Sequence, residues 1–192
     1  MQFTRLKLGR LPSCYAASAM VRNGRTVLLV APDDAGPCYC FDALTLERET
    51  VWDGPGGTMS MVPLPAADGE FLAVQRFFPG FRAEQAGIVR VSPAPDGWQV
   101  EAFFRLPYVH RFDILERGGI RYLLCCTLCT GKAYQDDWSL PGELMADELA
   151  EDLSPPVSMK IIAGGMTRNH GYWHVVNEGF TSALTACDQG VF

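Results

Sequence analysis

The sequence predicts an all-β fold in which a four-stranded unit is repeated about three and a half times. Four segments read as strand, glycine-containing turn, strand, with apolar runs on both sides of each turn, which is typical of β-hairpins. Little helical periodicity appears between them. The glycines at the centres of the turns are 45, 50 and 60 residues apart: Gly24, Gly69, Gly119 and Gly179. This spacing suits one blade of a β-propeller per repeat.

The rest of each repeat supplies two more strands. Third strands are predicted in PCYCFDAL, GIVRVSP and GELMADEL, and fourth strands in RETVWDG, WQVEAFFRL and SMKIIAGG. The blades then span residues 13–54, 58–105, 108–165 and 168–192 of one partial propeller domain, 1–192. The segment ELMADELAEDL, residues 143–153, reads either as a short helix or as a third strand that runs into a polar turn.

Three complete blades plus two strands of a fourth do not close a ring. The N-terminal FTRLKLGRL is a candidate outer strand for the last blade. Even so, an open half-ring would expose unpaired edges and apolar faces. We therefore expect either that the chain continues in a longer protein or that two copies close one ring as a homodimer.

Composition and charge narrow the function classes. The chain has 192 residues, 48% of them hydrophobic, and a net charge of −6, so a nucleic acid is not the expected partner. Arg5, Lys7 and Arg10 interrupt the apolar residues near the N-terminus. We expect no signal peptide, no membrane span, a cytoplasmic location and a small molecule or sugar as ligand.

The seven cysteines are expected to be reduced thiols. Cys38 and Cys40 form a C-x-C pair, and Cys126 and Cys129 form a C-x-x-C pair, so four zinc thiolates are conceivable. Both pairs lie in apolar, alternating runs, where cysteine behaves as a small hydrophobic residue. We favour buried thiols over a zinc site or a redox dithiol.

Two of the three histidines occupy equivalent positions in the repeats. His110 and His170 each lie nine residues before the hairpin glycine of their repeat, and the matching residues of the first two repeats are Tyr15 and Ser60. The first strand of each propeller blade lines the central channel. These four positions are therefore expected at the mouth of the channel, where His110 and His170 would converge.

The third histidine, His174, forms the motif HGYWH with His170. The residues between them favour a strand, on which the two side chains would share a face roughly 13 Å apart. One metal ion cannot be held by both. We expect His174 to pack or to form a hydrogen bond within the fold.

Two loops are expected on the same face as the channel mouth. The loop TGKAYQDDWSLPG, residues 130–142, is longer and richer in polar groups than its counterpart APDDAGPC in the first repeat. The loop QRFFPGFRAEQAG of the second repeat adds Arg76 and Arg82 with Phe77, Phe78 and Phe81. Arginine suits carboxylate recognition, and aromatic rings suit sugar faces.

The repeat plan, with histidines beside Arg, Lys and aromatic residues, resembles bacterial carbohydrate-active propellers of the oligogalacturonate-lyase and aldos-2-ulose-dehydratase types. The resemblance covers the architecture alone, because no WD dipeptide recurs from blade to blade and kelch and FG-GAP signatures are absent. It implies lyase, isomerase or hydrolase chemistry on a uronate or keto-sugar. The alternative is a non-catalytic propeller that serves as a scaffold or ligand-binding module through the same face.

Roles follow for the side chains expected near the channel mouth. His110 and His170 are predicted as catalytic residues, either as an acid–base pair or as metal ligands. A divalent metal is a candidate cofactor, and its predicted ligands are His110, His170, Asp113, Asp136 and Asp137. The predicted substrate-binding residues are Tyr15, Arg76, Arg111, Lys132, Tyr134, Trp138 and Asn169.

Overall fold

The computed structural model describes residues 4–77, 82–177 and 180–192. In these residues fifteen β-strands form and no helix does. The strands build four small antiparallel sheets arranged in a ring, as in a four-bladed β-propeller. The predicted all-β propeller is confirmed.

Each sheet is a meander in which every strand pairs with the next one along the chain. The first blade contains β1 (Cys14–Arg22), β2 (Arg25–Pro32), β3 (Cys38–Asp42) and β4 (Arg48–Trp52). The second contains β5 (Met61–Pro63), β6 (Phe71–Gln75), β7 (Gly87–Ala94) and β8 (Gly97–Arg105). The third contains β9 (Val109–Arg117), β10 (Ile120–Thr127), β11 (Gly142–Leu149) and β12 (Lys160–Met166). The fourth contains β13 (Gly171–Asn177), β14 (Phe180–Cys187) and β15 (Gly190–Val191).

The predicted hairpin glycines lie between the first and second strands of their blades. Gly24, Gly69 and Gly119 have φ values of 70°, 76° and 77°, in the left-handed region that glycine enters without steric cost. Gly179 lies outside the described residues. Because β13 and β14 pair up to Asn177 and Phe180, the fourth hairpin is nevertheless where the repeat predicts it.

The ambiguous segment at 143–153 is a strand and not a helix. β11 continues to Leu149 and pairs with both β10 and β12, after which the chain turns. Tertiary pairing thus decides against the helical propensity of Glu, Leu, Met and Ala in this stretch.

The N-terminal segment departs from the predicted topology. Residues 4–13 form no strand, and residues 5–11 line a groove with Leu28, Val30, Tyr39 and Phe41 of the first blade. The prediction that FTRLKLGRL supplies the outer strand of the last blade is therefore wrong. The segment leads directly into β1, so the nearest apolar surface available to its leucines belongs to the first blade. The last blade has β15 as a short third strand instead.

Two apolar cores lie between successive blades. One packs Leu29 and Trp52 of the first blade against Phe71 of the second. The other packs Ile88 of the second blade against Phe112 of the third. Burial of side chains of this size contributes about 1.5–3 kcal/mol each, so these interfaces hold the first three blades together.

The cysteines behave as expected. Cys38 and Cys40 are buried in the core between the first and second blades, Cys129 is buried in the core between the second and third, and Cys126 is buried beside Thr185 of the fourth blade. Cys126 and Cys129 therefore lie apart from the core that holds Cys38 and Cys40, and the four thiols do not form one zinc site. Burial raises the pKa of Cys126 to about 11, so this thiol stays protonated at neutral pH.

Candidate functional site

The first strands of the four blades surround a central cavity of about 720 Å³. This volume lies within the usual range for small-molecule sites. Polar side chains from all four blades line it: Ser18, Ser60, Arg111, Asp113, His170 and His174. The predicted central channel is therefore present, and its wall carries the groups that recognise polar ligands.

The backbone bends in the same way just before the first strands of three blades. Ser13, Tyr108 and Arg168 have φ values of 51°, 59° and 52°. Positive φ is uncommon for residues other than glycine. Each of these residues lies two positions before a residue of the channel mouth, in the order Tyr15, His110 and His170. The same backbone bend therefore precedes the mouth residue in three blades.

Matching β-bulges keep the first and third blades equivalent. In β1 the pairing with β2 shifts between Cys14 and Ala16, which leaves Tyr15 as the extra residue. In the third blade the pairing with β10 shifts between Val109 and Arg111, which leaves His110 as the extra residue. A bulge re-aims one side chain. Because both strands carry it at the same place, the equal sequence offset translates into equivalent positions.

The two mouth histidines converge, as the repeat predicts. The ring centroids of His110 and His170 are 4.2 Å apart, with 41° between the ring planes. The hydroxyl of Tyr15 lies 3.1 Å from Nε2 of His170 and 3.5 Å from Nε2 of His110. Three blades therefore meet at one hydroxyl group.

Arg111 adds a positive charge to this cluster. Its Nη2 donates to the Tyr15 hydroxyl at 3.1 Å, and its Nη1 donates to the carbonyl of Met59 on the second blade. Since the guanidinium can only donate, the proton of the Tyr15 hydroxyl is free to point at an imidazole nitrogen. We call Tyr15, His110, Arg111 and His170 the mouth cluster.

Both imidazoles of the mouth cluster are neutral at pH 7. Burial, with smaller contributions from His170 and Arg111, lowers the pKa of His110 to about 2. Burial and then Arg111 lower the pKa of His170 below its ordinary value. His110 is buried under the cluster, whereas His170 is exposed to solvent. The mouth cluster therefore combines one cation, one hydroxyl and two neutral rings.

Phe77 forms the apolar floor of the mouth cluster. Its ring packs edge-on against His110 with the centroids 5.2 Å apart, and the side chain is buried. Of the aromatic residues predicted in this loop, Phe78 and Phe81 lie outside the described residues. Arg76 is exposed and lines a different groove, beside Gln85 and Arg105. The predicted role of Arg76 at the mouth is therefore wrong, because the strand end directs Phe77 inward and Arg76 outward.

A second polar group lies deeper in the channel. Asp113 is buried and accepts a hydrogen bond from the hydroxyl of Tyr172 at 3.0 Å, and its Oδ2 lies 2.5 Å from Nδ1 of His174. Burial and the neighbouring Asp113 raise the pKa of Tyr172, which keeps its phenol protonated as a donor. His174 was expected to pack or to form a hydrogen bond within the fold, whereas its side chain lies against Asp113, faces the cavity and is half exposed.

The long loop reaches the mouth side of the ring, although its polar groups bind one another. The ammonium of Lys132 lies 3.2 Å from the centroid of the Trp138 ring, and Arg168 lies over the same ring. Hydrogen bonds from Ser139 and from the backbone of Ala133 and Ser139 lower the pKa of Asp137 to about 2. Tyr134 is exposed. These contacts stabilise the loop and leave Tyr134 as its solvent-facing aromatic ring.

The structure does not assemble the predicted metal site. Within the three described ranges, no group of three or more His, Cys, Asp or Glu side chains is arranged to hold a metal ion. Asp113 is engaged by Tyr172 and His174, and Asp137 by its own loop. Two of the three carboxylates predicted to join His110 and His170, Asp113 and Asp137, are therefore already engaged within the protein.

Asn169 is also placed differently from the prediction. It is fully buried, accepts a hydrogen bond from Thr185 Oγ1, and donates to the carbonyl of Glu143 at 3.4 Å. Cys126 lies 3.7 Å from the same Thr185 oxygen. Asn169 thus joins the fourth blade to the third and does not face a ligand.

Sequence reasoning missed two features of the site. The pairing of Asp113 with His174 joins residues of different blades, so no local spacing signals it. The Met59 carbonyl that receives Arg111 has no side-chain signature at all. One signal for the second polar group was available in the sequence. Tyr172 and His174 are two residues apart on β13, so their side chains share one face.

Comparison with known proteins supports the fold. No protein-family model and no curated protein matches the chain. Solved structures that resemble it include the PQQ-bound form of aldose sugar dehydrogenase from Streptomyces coelicolor, with 17% identity and a TM-score of 0.56 over 93% of this chain and 60% of that one. A thermostable family-43 glycoside hydrolase has 12% identity and a TM-score of 0.59 over 92% and 64%. A B. megaterium levansucrase variant has 10% identity and a TM-score of 0.56 over 90% and 62%.

At these identities the likeness shows the fold alone. The chain spans about three fifths of the length of these structural neighbours. No helix in the described ranges is long and apolar enough to cross a membrane.

Proposed function

We propose that the channel mouth binds an acidic sugar, a uronate or keto-sugar acid, and that the protein acts on it by proton transfer. The observation that carries the proposal is the mouth cluster, in which three blades converge on the Tyr15 hydroxyl next to Arg111. A guanidinium with unused donors suits a carboxylate, and neutral imidazoles and a phenol suit sugar hydroxyls. The cavity of about 720 Å³ is large enough for such a ligand.

The structural neighbours add support of a general kind. Those compared above are a sugar dehydrogenase, a glycoside hydrolase and a levansucrase, all of which act on carbohydrates according to their names. A shared fold is weak evidence for a shared function. The ligand class therefore rests chiefly on the chemistry of the mouth cluster.

The two histidines of the mouth cluster have different roles. His110 has a pKa of about 2, so it cannot supply a proton at neutral pH and serves as a neutral hydrogen-bond partner of Tyr15. His170 is exposed and reachable by a ligand. His170 is therefore the mouth histidine that can form hydrogen bonds with a ligand, and charge recognition falls to Arg111.

Calorimetric titration with D-galacturonate and D-galactose tests this function. We expect galacturonate to bind more tightly, because it adds a carboxylate opposite Arg111. The variant Arg111→Gln should lose that preference and weaken galacturonate binding about 10–100-fold, since a hydrogen bond to a charged group contributes about 1.5–3 kcal/mol.

Arg117→Gln is the matched control, because Arg117 is exposed at the far end of the same strand. Equal affinity of the wild-type protein for both sugars, or equal effects of the two variants, would contradict the proposal. Binding without any chemical change in the sugar, followed by NMR, would identify the protein as a ligand-binding module.

A further inference from the structure

Asp113 holds His174 in one orientation inside the channel. Its Oδ2 lies 2.5 Å from Nδ1 of His174 and accepts the hydroxyl of Tyr172 at 3.0 Å, and its Oδ1 accepts the backbone N–H of Ile114 at 2.8 Å. The Asp113 side chain is 9% exposed. Two protein donors and the adjacent imidazole therefore surround this carboxylate, and little water reaches it.

This arrangement selects the tautomer of His174. An ionised carboxylate can only accept, and a lone pair on Nδ1 would be repelled by the carboxylate oxygen 2.5 Å away, so the proton of the neutral ring is placed on Nδ1 and its lone pair on Nε2. The His174 side chain is 45% exposed and lines the central cavity. In the described part of the chain Nε2 has no hydrogen-bond partner. A basic nitrogen is thus presented to the cavity.

Arg111 lies on the same wall of the cavity. It precedes Asp113 by two residues, so both side chains share one face of β9, roughly 7 Å apart along the strand. The described contacts of its guanidinium use one N–H for Met59 and one for Tyr15. The remaining donors can receive two adjacent oxygen atoms of a ligand in the geometry that arginine prefers.

We propose that His174 is the catalytic base of the channel, that Asp113 is its positioning residue, and that the substrate is a 2-keto sugar acid. The proposal rests on the acidic-sugar function above and names its substrate class. Arg111 faces the carboxylate and the adjacent ketone, and the C3–H bond of the ligand lies towards His174.

The proton-transfer step is balanced within the site. His174 Nε2 takes the proton from C3, and the electron pair of the C–H bond moves into a C2–C3 double bond. The ketone thereby becomes an enolate, whose negative charge Arg111 stabilises, while Asp113 stabilises the new imidazolium. Return of a proton to C3 restores the ketone, so the step can be detected as exchange of the C3 hydrogen with solvent.

The first test needs no ligand. The chain has three histidines, so nitrogen-15 NMR can assign each imidazole with single variants. In the wild-type protein we expect the neutral ring of His174 to carry its proton on Nδ1, and Asp113→Asn to abolish this preference. A neutral His174 with its proton on Nε2 would overturn the proposal.

The second test follows deuterium incorporation at C3 of 2-keto-D-gluconate in heavy water, with D-fructose as the ketose that lacks a carboxylate. We expect exchange with the acid. His174→Gln should lower the rate at saturation at least about 100-fold and leave binding nearly unchanged, as expected for loss of a general base. Val176→Thr is the control, since Val176 is exposed two residues further along the same face.

The outcomes separate the two proposals. Tight binding that depends on Arg111, without exchange, overturns the assignment of His174 and leaves the proposed binding of an acidic sugar standing. If no acidic sugar binds, both the proposed function and the assignment of His174 are overturned. If the buried Asp113→Asn variant does not fold, the wild-type tautomer and the exchange rate of His174→Gln still test whether His174 is the base.

Discussion

At the scale of single residues, His110 shows how burial changes the chemistry of an imidazole. Its side chain is 3% exposed, and its Nδ1 has no hydrogen-bond partner in the described structure. The charged form would lose most of its hydration, so the fold holds the ring neutral. His170, 4.2 Å away between ring centroids, remains exposed. Adjacent rings thus have different roles because their solvent exposure differs.

The pH dependence of stability tests this description of His110. The pKa is about 2 in the folded protein and 6.5 in the unfolded chain, so the stability associated with the neutral ring is present above pH 6.5 and is lost as the pH falls towards 2. From pH 7 to pH 5 the wild-type protein should lose about 2 kcal/mol more unfolding free energy than His110→Gln. Urea unfolding of both proteins at the two pH values measures this difference. Equal losses would show that His110 titrates normally.

At the scale of elements, close contact between strands of the third blade supports the bulge at His110. A Cβ atom at Gly142, the first residue of β11, would lie 1.9 Å from the Thr127 carbonyl oxygen of β10. Thr127 pairs with Val109 on the other side, next to the bulge. The absence of a side chain at Gly142 therefore allows the backbone approach on which the position of His110 depends.

The variant Gly142→Ala should destabilise the protein by about 2–3 kcal/mol, because the backbone must move to admit the methyl group. Gly164→Ala in the neighbouring strand is the matched control. A Cβ there would meet only the Glu143 side chain, at 4.0 Å, so the change should stay within about 0.5 kcal/mol. Urea unfolding of both variants measures this difference. Similar unfolding midpoints for the two variants would show that the contact at Gly142 relaxes at little cost in free energy.

At the scale of the whole molecule, two blade faces remain uncovered. Trp173 and Leu184 pair across β13 and β14, on the side of the fourth blade opposite to Tyr172 and His174, and both are exposed. On the first blade Val21 is exposed as well. Apolar faces of this kind in a propeller are normally covered by a neighbouring blade.

Self-association therefore stays a prediction, with a second copy as the expected partner. Leu184→Lys should shift the protein towards the monomer at micromolar concentration in analytical ultracentrifugation, because a charge would enter the apolar contact. Leu44→Lys is the control, since Leu44 is exposed in the turn between β3 and β4, away from both faces. A wild-type protein that is already monomeric would refute the prediction.

The sequence by itself determined the repeat. Hairpin glycines, alternating apolar residues and regular spacing are local signals, and they predicted the four blades and the sequence position of nearly every strand. Because repeats with the same backbone place equivalent residues equivalently, the offset of nine residues also predicted the convergence of His110 and His170.

Only the tertiary structure decided what surrounds that pair. Arg76 follows the end of β6 and has a positive φ of 61°, and at this bend one residue separates Phe77 in the core from Arg76 in a different groove. Asp113, predicted as a metal ligand, binds Tyr172 and His174 because the third and fourth blades pack face to face at that level. Contacts between blades depend on the packing of distant segments, and no local pattern in the chain encodes them.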